Sequence, residues 1–181
     1  MKYYVSGGCK NGKSRFAQEW ARNRALAKGK APLYYVATMI PGDEEDLARI
    51  ARHVKEREGW GFTTVEQPVS IGKLTEHTDS TGVYLLDSVT ALLANEMFGS
   101  QEPDLSAPAR VAAELKTFLS QVEDAVLVSD FIFGGGFRHD QLTLAYMRGL
   151  AAVDRQVAQV CDELVEVSYT NRLYYKGSIE R

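Results

Sequence analysis

The octet Gly7-Gly8-Cys9-Lys10-Asn11-Gly12-Lys13-Ser14 fits G-x-x-x-x-G-K-[ST] and constrains this chain more than any other stretch. In such a loop, backbone N–H groups converge on the β-phosphate of a nucleotide. Lys13 reaches the β/γ-oxygens and the Ser14 hydroxyl ligates Mg²⁺. Glycine is needed where the loop takes positive φ and lets backbone approach the anion closely. The flanks agree with the motif. KYYVSG is a β-branched and aromatic run ending at the glycines, and KSRFAQEWARNRALAKG places Phe16, Trp20 and Ala21 on one helical side with a stop near Gly29. Strand, loop and helix in that order aim the positive end of the helix at the phosphate site.

The rest of the chain alternates between strand-like and helix-like stretches. PLYYVAT, GFTTVE, GVYLLD, AVLVSD and LVEVSY read as strands. DEEDLARIARHVKERE, SVTALLANEMF, APARVAAELKTFLSQVED and HDQLTLAYMRGLAAVDRQVAQVCDE read as helices, the third capped by Ser106 with Pro108 in its first turn. Short strands between helices of this length predict βαβ units, hence an α/β fold with a mostly parallel sheet flanked by helices. Ligands bind such sheets at the carboxyl ends of the strands, where the octet sits. The linker-like GSQEPDLS is too short to divide two domains, so residues 1–181 are expected to form a single P-loop NTPase domain.

Net charge of −3 without a basic run argues against nucleic acid as the main partner. Cys9 and Cys161 make no disulfide framework, which fits a reducing, cytoplasmic setting. The sequence shows neither a membrane span nor a signal peptide ahead of the first strand.

A P-loop site usually has an acidic residue at the end of another apolar strand to hold Mg²⁺. Asp87 in VYLLDSVT and Asp130 in AVLVSDFIF both qualify, and either can instead cap the next helix or turn. Asp87 is favoured because a helix begins directly after it. Among the three histidines, His77 lies in a polar loop and His139 precedes the last long helix, where a neutral or capping role is expected. His53 flanks the apolar stripe Leu47, Ile50, Ala51 and Val54, with Arg49 and Arg57 one turn to either side. Nearby guanidiniums favour a neutral, nucleophilic imidazole and can neutralise the phosphate it attacks, although a surface histidine on a charged helix has the same pattern.

With these residues assembled, the chain resembles the bifunctional adenosylcobinamide kinase / adenosylcobinamide-phosphate guanylyltransferase family of cobalamin assembly. VSGGCKNGKSRFA is similar to its first strand and loop, with Arg15 directly after the serine. LYYVATM is similar to its second strand, ending in Ala37 and Thr38. ARIARHVKEREGWGFTTVE is similar to its guanylylation segment, and VYLLDSVTALLANEMF to the strand and helix around its acidic residue. The resemblance implies a RecA-like P-loop domain that forms a homotrimer and takes nucleotide and corrinoid substrates. It also implies a reaction. A nucleoside triphosphate, ATP or GTP, first phosphorylates the aminopropanol hydroxyl of adenosylcobinamide. GTP then transfers GMP to a histidine, matched by His53, and the GMP passes to the cobinamide phosphate. Lys13 and His53 are the catalytic matches. Gly7, Gly8, Cys9, Lys10, Asn11, Gly12, Lys13, Ser14, Arg15, Ala37, Thr38, Lys55, Arg57, Glu66 and Asp87 are the nucleotide-site matches, with Ser14 and Asp87 on Mg²⁺.

The chain departs from the family at three places. Arg52 stands where a second histidine commonly precedes the nucleophile, and Asp87 stands for a typical Glu. SDFIFGGGFRHD replaces an Asn-Glu-Val-Gly-type segment. Gly134 to Gly136 read as a flexible loop rather than a second phosphate cradle, since no Lys-Ser/Thr comes after them. Two other readings keep the octet: a small-molecule P-loop kinase without covalent intermediate, and a non-catalytic GTP-binding paralogue. The aromatic tail SYTNRLYYKG supplies either an interface or a cover for the sheet edge.

Overall fold

The computed structural model describes residues 1–134, 139–169 and 171–177. Gly135 and Gly136, part of the expected glycine loop, lie outside the described residues. The elements are β1 (Lys2–Gly7), α1 (Lys13–Ala27), β2 (Leu33–Ala37), α2 (Glu44–Glu56), β3 (Phe62–Glu66), β4 (Val83–Asp87), α3 (Val89–Phe98), α4 (Ala107–Gln121), β5 (Asp124–Asp130), α5 (Gln141–Val160), β6 (Glu163–Ser168) and β7 (Asn171–Lys176). A 3-10 turn, Ile71–Glu76, precedes β4.

The strands form one seven-stranded sheet in the order β3-β2-β4-β5-β1-β6-β7. The pairs from β3 through β6 are parallel, and β7 runs antiparallel to β6 at the edge. The parallel sheet agrees with the sequence reading; β7 is an addition, formed from the aromatic tail.

Period-two alternation divides the core. On β4, Tyr84 and Leu86 face Leu92, Leu93, Phe118 and Leu150 of α3, α4 and α5. Val83 and Leu85 face the other way, with Phe16, Ala17, Ala21 and Ala25 of α1. Ile71 and Leu74 of the 3-10 turn are fully buried in the first of these layers. No helix among the described residues is long and apolar enough to cross a membrane.

Two caps differ from expectation. The Ser106 side chain makes no cap bond to α4, because its hydroxyl donates to Asp104 Oδ1 at 2.6 Å. Asp140 caps α5 in place of His139, accepting from the Leu142 and Thr143 amides at 2.9 and 2.8 Å. A carboxylate oxygen so placed satisfies two of the orphan amides at a helix start.

The larger difference is α2. It carries the apolar stripe Leu47, Ile50, Ala51 and Val54, yet the helix buries none of its residues. Leu47 and Val54 are 55% and 49% exposed. Only beyond its end does the chain dock, where Arg57, 7% exposed, lays its guanidinium 3.8 Å from the centre of the Tyr35 ring and donates to Thr64 Oγ1 at 3.1 Å.

Candidate active site

Strand register gathers the site at the carboxyl edge of the sheet. Gly7 lies opposite Asp130, and Ala37 lies between Glu66 and Asp87. Between β1 and α1 the octet forms a loop in which Lys10 takes φ 58° and Gly12 φ 90°. Gly7 is required by space as well as by backbone angle, since a Cβ there meets the Val167 carbonyl oxygen at 2.2 Å. Cys9 and Lys10 are exposed, and Gly8, Asn11 and Ser14 are half-buried. Arg15 points outward and pairs with Glu19 at 2.9 Å.

Lys13 is only 6% exposed and spans the loop, donating to the Gly8 carbonyl at 2.7 Å and to Asp130 Oδ1 at 2.9 Å. These bonds hold an ammonium in place that otherwise carries high rotamer entropy. The Asp130 backbone is fixed in turn, its amide donating to Thr90 Oγ1 at 2.8 Å, and the next amide, that of Phe131, donates to the Gly7 carbonyl at 2.9 Å. Of the two candidate acids, Asp130, the one less favoured from sequence for a metal role, is the carboxylate that touches the lysine. Both strand ends look alike in sequence; what separates them is that β5, not β4, lies next to β1.

Asp87 makes a different contact. Its Oδ2 accepts from the Tyr35 hydroxyl at 3.0 Å. Burial, then the Asp87 charge, pushes that hydroxyl well above the usual phenol range, with Arg57 and Arg49 pulling the other way. The two arginines expected to flank His53 therefore act on the Tyr35–Asp87 corner. The charged partner of His53 is Glu56, whose Oε2 lies 3.0 Å from Nδ1. Thr38 is fully buried; its hydroxyl donates to the Ser88 carbonyl at 2.8 Å and accepts from the Ser88 amide at 2.7 Å. Thr38 so ties the end of β2 to the start of α3, where Ser88 caps the Ala91 amide. Lys55 and Glu66 are exposed. Lys55 and Arg57 line a depression of about 350 Å³ between α2 and β3, with Val54, Phe62 and Thr64.

Behind Asp130, Asp154 of α5 accepts from the Tyr4 hydroxyl at 2.5 Å and the Ser129 hydroxyl at 2.9 Å. Burial raises the Asp154 pKa, those two bonds oppose the rise, and the charge of Asp130 adds to it. Tyr146, whose hydroxyl donates to the Thr90 carbonyl at 2.9 Å, is pushed up to about 12 by burial and by the two aspartates.

With this geometry in place, the match to known proteins is specific. The model of the family described as cobinamide kinase / cobinamide phosphate guanyltransferase matches residues 3–170. The chain belongs to this family. It is 29% identical to the bifunctional adenosylcobalamin biosynthesis protein CobU of Escherichia coli, covering 91% of this chain and 93% of that protein. Identity to the bifunctional adenosylcobalamin biosynthesis protein CobP of Pseudomonas aeruginosa is 25%, covering 91% of each. Among solved structures, a KaiC-like protein from Pyrococcus horikoshii superposes with a TM-score of 0.54 at 12% identity, over 97% of this chain and 78% of that one. The likeness is one of fold alone.

Proposed function

We infer that this protein is a transferase of cobalamin assembly that phosphorylates adenosylcobinamide and then passes GMP from GTP, through a covalent adduct on His53, to the phosphorylated product. The observation that carries the reading is the family match over residues 3–170, and the intact octet with its Lys13 in place supports it. Residues 1–181 work as one domain on this reading, and the resemblance extends it to a homotrimer.

The phosphates of the nucleoside triphosphate sit on the loop amides and on the Lys13 ammonium. A site for Mg²⁺ calls for hard oxygen donors and few protein ligands, the remainder being phosphate and water. The Ser14 hydroxyl at the start of α1 and the Asp87 carboxylate at the end of β4 are such donors, and the described residues hold no closed cluster of three or more His, Cys, Asp or Glu that would demand another metal. Mg²⁺ held there supplies charge neutralisation on the phosphate oxygens.

In the guanylyl half, Glu56 accepts a hydrogen bond from the Nδ1–H of His53, which holds the tautomer whose Nε2 lone pair is the nucleophile. Nε2 attacks the α-phosphorus of GTP, the Nε2–P bond forms, the bond to the bridging oxygen breaks, and pyrophosphate departs. An oxygen of the cobinamide phosphate then displaces the histidine, giving adenosylcobinamide-GDP. Splitting nucleotidyl transfer into two displacements is the use of a covalent intermediate. Because α2 buries no side chain, its movement toward the cradle breaks little packing.

The test is intact mass after incubation with Mg²⁺ and GTP. A GMP-sized adduct that is acid-labile, alkali-stable and absent in His53→Ala is expected. Wild-type protein that binds GTP but gains no mass refutes the covalent step and leaves a P-loop kinase that acts without it.

A further inference from the structure

The position of Asp130 goes beyond nucleotide binding. Its carboxylate is 32% exposed, so it faces the site rather than the core, and it lies 2.9 Å from the ammonium that reaches the β/γ-phosphates. Its backbone is fixed on both sides, by the Thr90 hydroxyl and by register with Gly7. A negative charge beside the transferring phosphoryl group repels the nucleotide. Such a group serves something else that binds there: Mg²⁺, which the reading above gives to Ser14 and Asp87, or the acceptor alcohol.

We propose that Asp130 is the general base of the kinase half, accepting the proton of the acceptor hydroxyl. The proposal rests on the kinase reading above. In the step, the alcohol oxygen attacks the γ-phosphorus and a new O–P bond forms. The bond from the γ-phosphorus to the bridging oxygen breaks, the nucleoside diphosphate leaves with the electron pair, and the hydroxyl proton passes to an Asp130 oxygen. Lys13 turns from the carboxylate to the phosphate as the triphosphate arrives, which frees the Asp130 oxygen it held. Asp154 is not an alternative base: its bonds from Tyr4 and Ser129 lie on the interior side of β5. Asp87, assigned to Mg²⁺ above, ends a strand that does not border β1.

Asp130→Asn isolates this role. The amide oxygen still accepts from Lys13, so a structural part survives, while the basicity is gone. With Mg²⁺, ATP and adenosylcobinamide, the variant is expected to transfer phosphoryl groups about 10²- to 10⁴-fold more slowly than wild type. ATP affinity should hold or tighten, and the GMP adduct should still form. Asp130→Glu, which keeps a carboxylate, should retain more activity than Asp130→Asn. Phosphorylation by Asp130→Asn within a few-fold of wild type overturns the proposal and leaves the kinase reading standing. A parallel loss of ATP affinity also overturns it, reducing Asp130 to a support for Lys13. If the wild type itself phosphorylates no adenosylcobinamide while still forming the adduct, the kinase reading falls and this proposal with it.

Discussion

Asp124 allows the frame under the site to be weakened without touching the site. Its side chain, 2% exposed at the start of β5, receives three cations: the Met1 ammonium at 2.9 Å and Arg24 Nε at 2.6 Å on Oδ1, and Lys28 Nζ at 3.0 Å on Oδ2. The cluster joins the start of β1, the last turn of α1 and the start of β5, at the end of the sheet opposite the octet. Burial alone would raise the carboxyl pKa, but the ammonium, Lys28 and Arg24 outweigh it and bring it down to about 2. Against an unfolded value near 3.9, that is worth about 2.6 kcal/mol of stability at pH 7. The sign follows from the lowered pKa: the stabilisation is complete above the unfolded value and is lost as pH falls toward the folded one, with about half left near pH 3. Asp124→Asn should therefore cost about 2–3 kcal/mol at neutral pH, since the cations it leaves behind are partly hydrated rather than stranded. For a chain of this size the melting temperature should drop by roughly 5–10 °C. Urea unfolding at pH 7 and pH 3 measures both quantities, and the gap between variant and wild type should narrow by about half at the lower pH. A gap that stays constant between the two, or one below about 0.5 kcal/mol at pH 7, would refute the ion-cluster account.

Two further changes probe the elements that carry the chemistry. Arg57→Ala removes the stack on Tyr35 and the bond to Thr64 and should cost about 1–2 kcal/mol, with hydrogen-exchange protection lost first in α2; unchanged protection there would show that α2 is anchored otherwise. Gly7→Ala drives a methyl group against the Val167 carbonyl oxygen at a backbone φ of 154° and should cost about 2–4 kcal/mol. Calorimetry with GTP should find binding lost, and a variant that binds normally would sink the spatial argument for that glycine.

How much of the fold and site was legible in sequence depends on the range of the interactions. The octet, the strand before it and the helix after it are local, and all three form where the spacing places them. Alternation within β4 also gives its two faces directly, because a strand reverses side at every residue. The neighbour order of strands is not local, and it decides that Asp130 rather than Asp87 meets Lys13. The same limit applies to β7 and to the turn at Ile71–Glu76, whose residues gain their structure from β6 and from the α4 side of the core. The stripe of α2 shows a different limit. An amphipathic pattern reports that a helix has an apolar face, not that this chain supplies the surface covering it. Arg57 escapes the pattern as well, because a charged residue enters a core only with a partner such as Tyr35, which lies 22 positions earlier in sequence.

These contacts divide the inferred reaction between two mechanical classes of residue. Lys13, Asp87 and Asp130 stand on elements that bury large side chains on both faces of the sheet, so their spacing survives thermal motion. His53 stands on a helix that buries nothing and is tethered through Arg57 at its end. Phosphoryl transfer to an alcohol needs a fixed cradle and a fixed base, since positioning and electrostatics supply nearly all of its acceleration. A histidine that first takes a nucleotide and then gives it to a second substrate must meet two partners in turn, and a rigid mount would favour one of them at the expense of the other. The loose packing of α2 is therefore consistent with a travelling nucleophile. It also implies that loosening the tether at Arg57 should change guanylylation of His53 more than phosphorylation of adenosylcobinamide. Equal effects on the two rates would place the helix and the cradle in one mechanical unit and remove the reason for separating them.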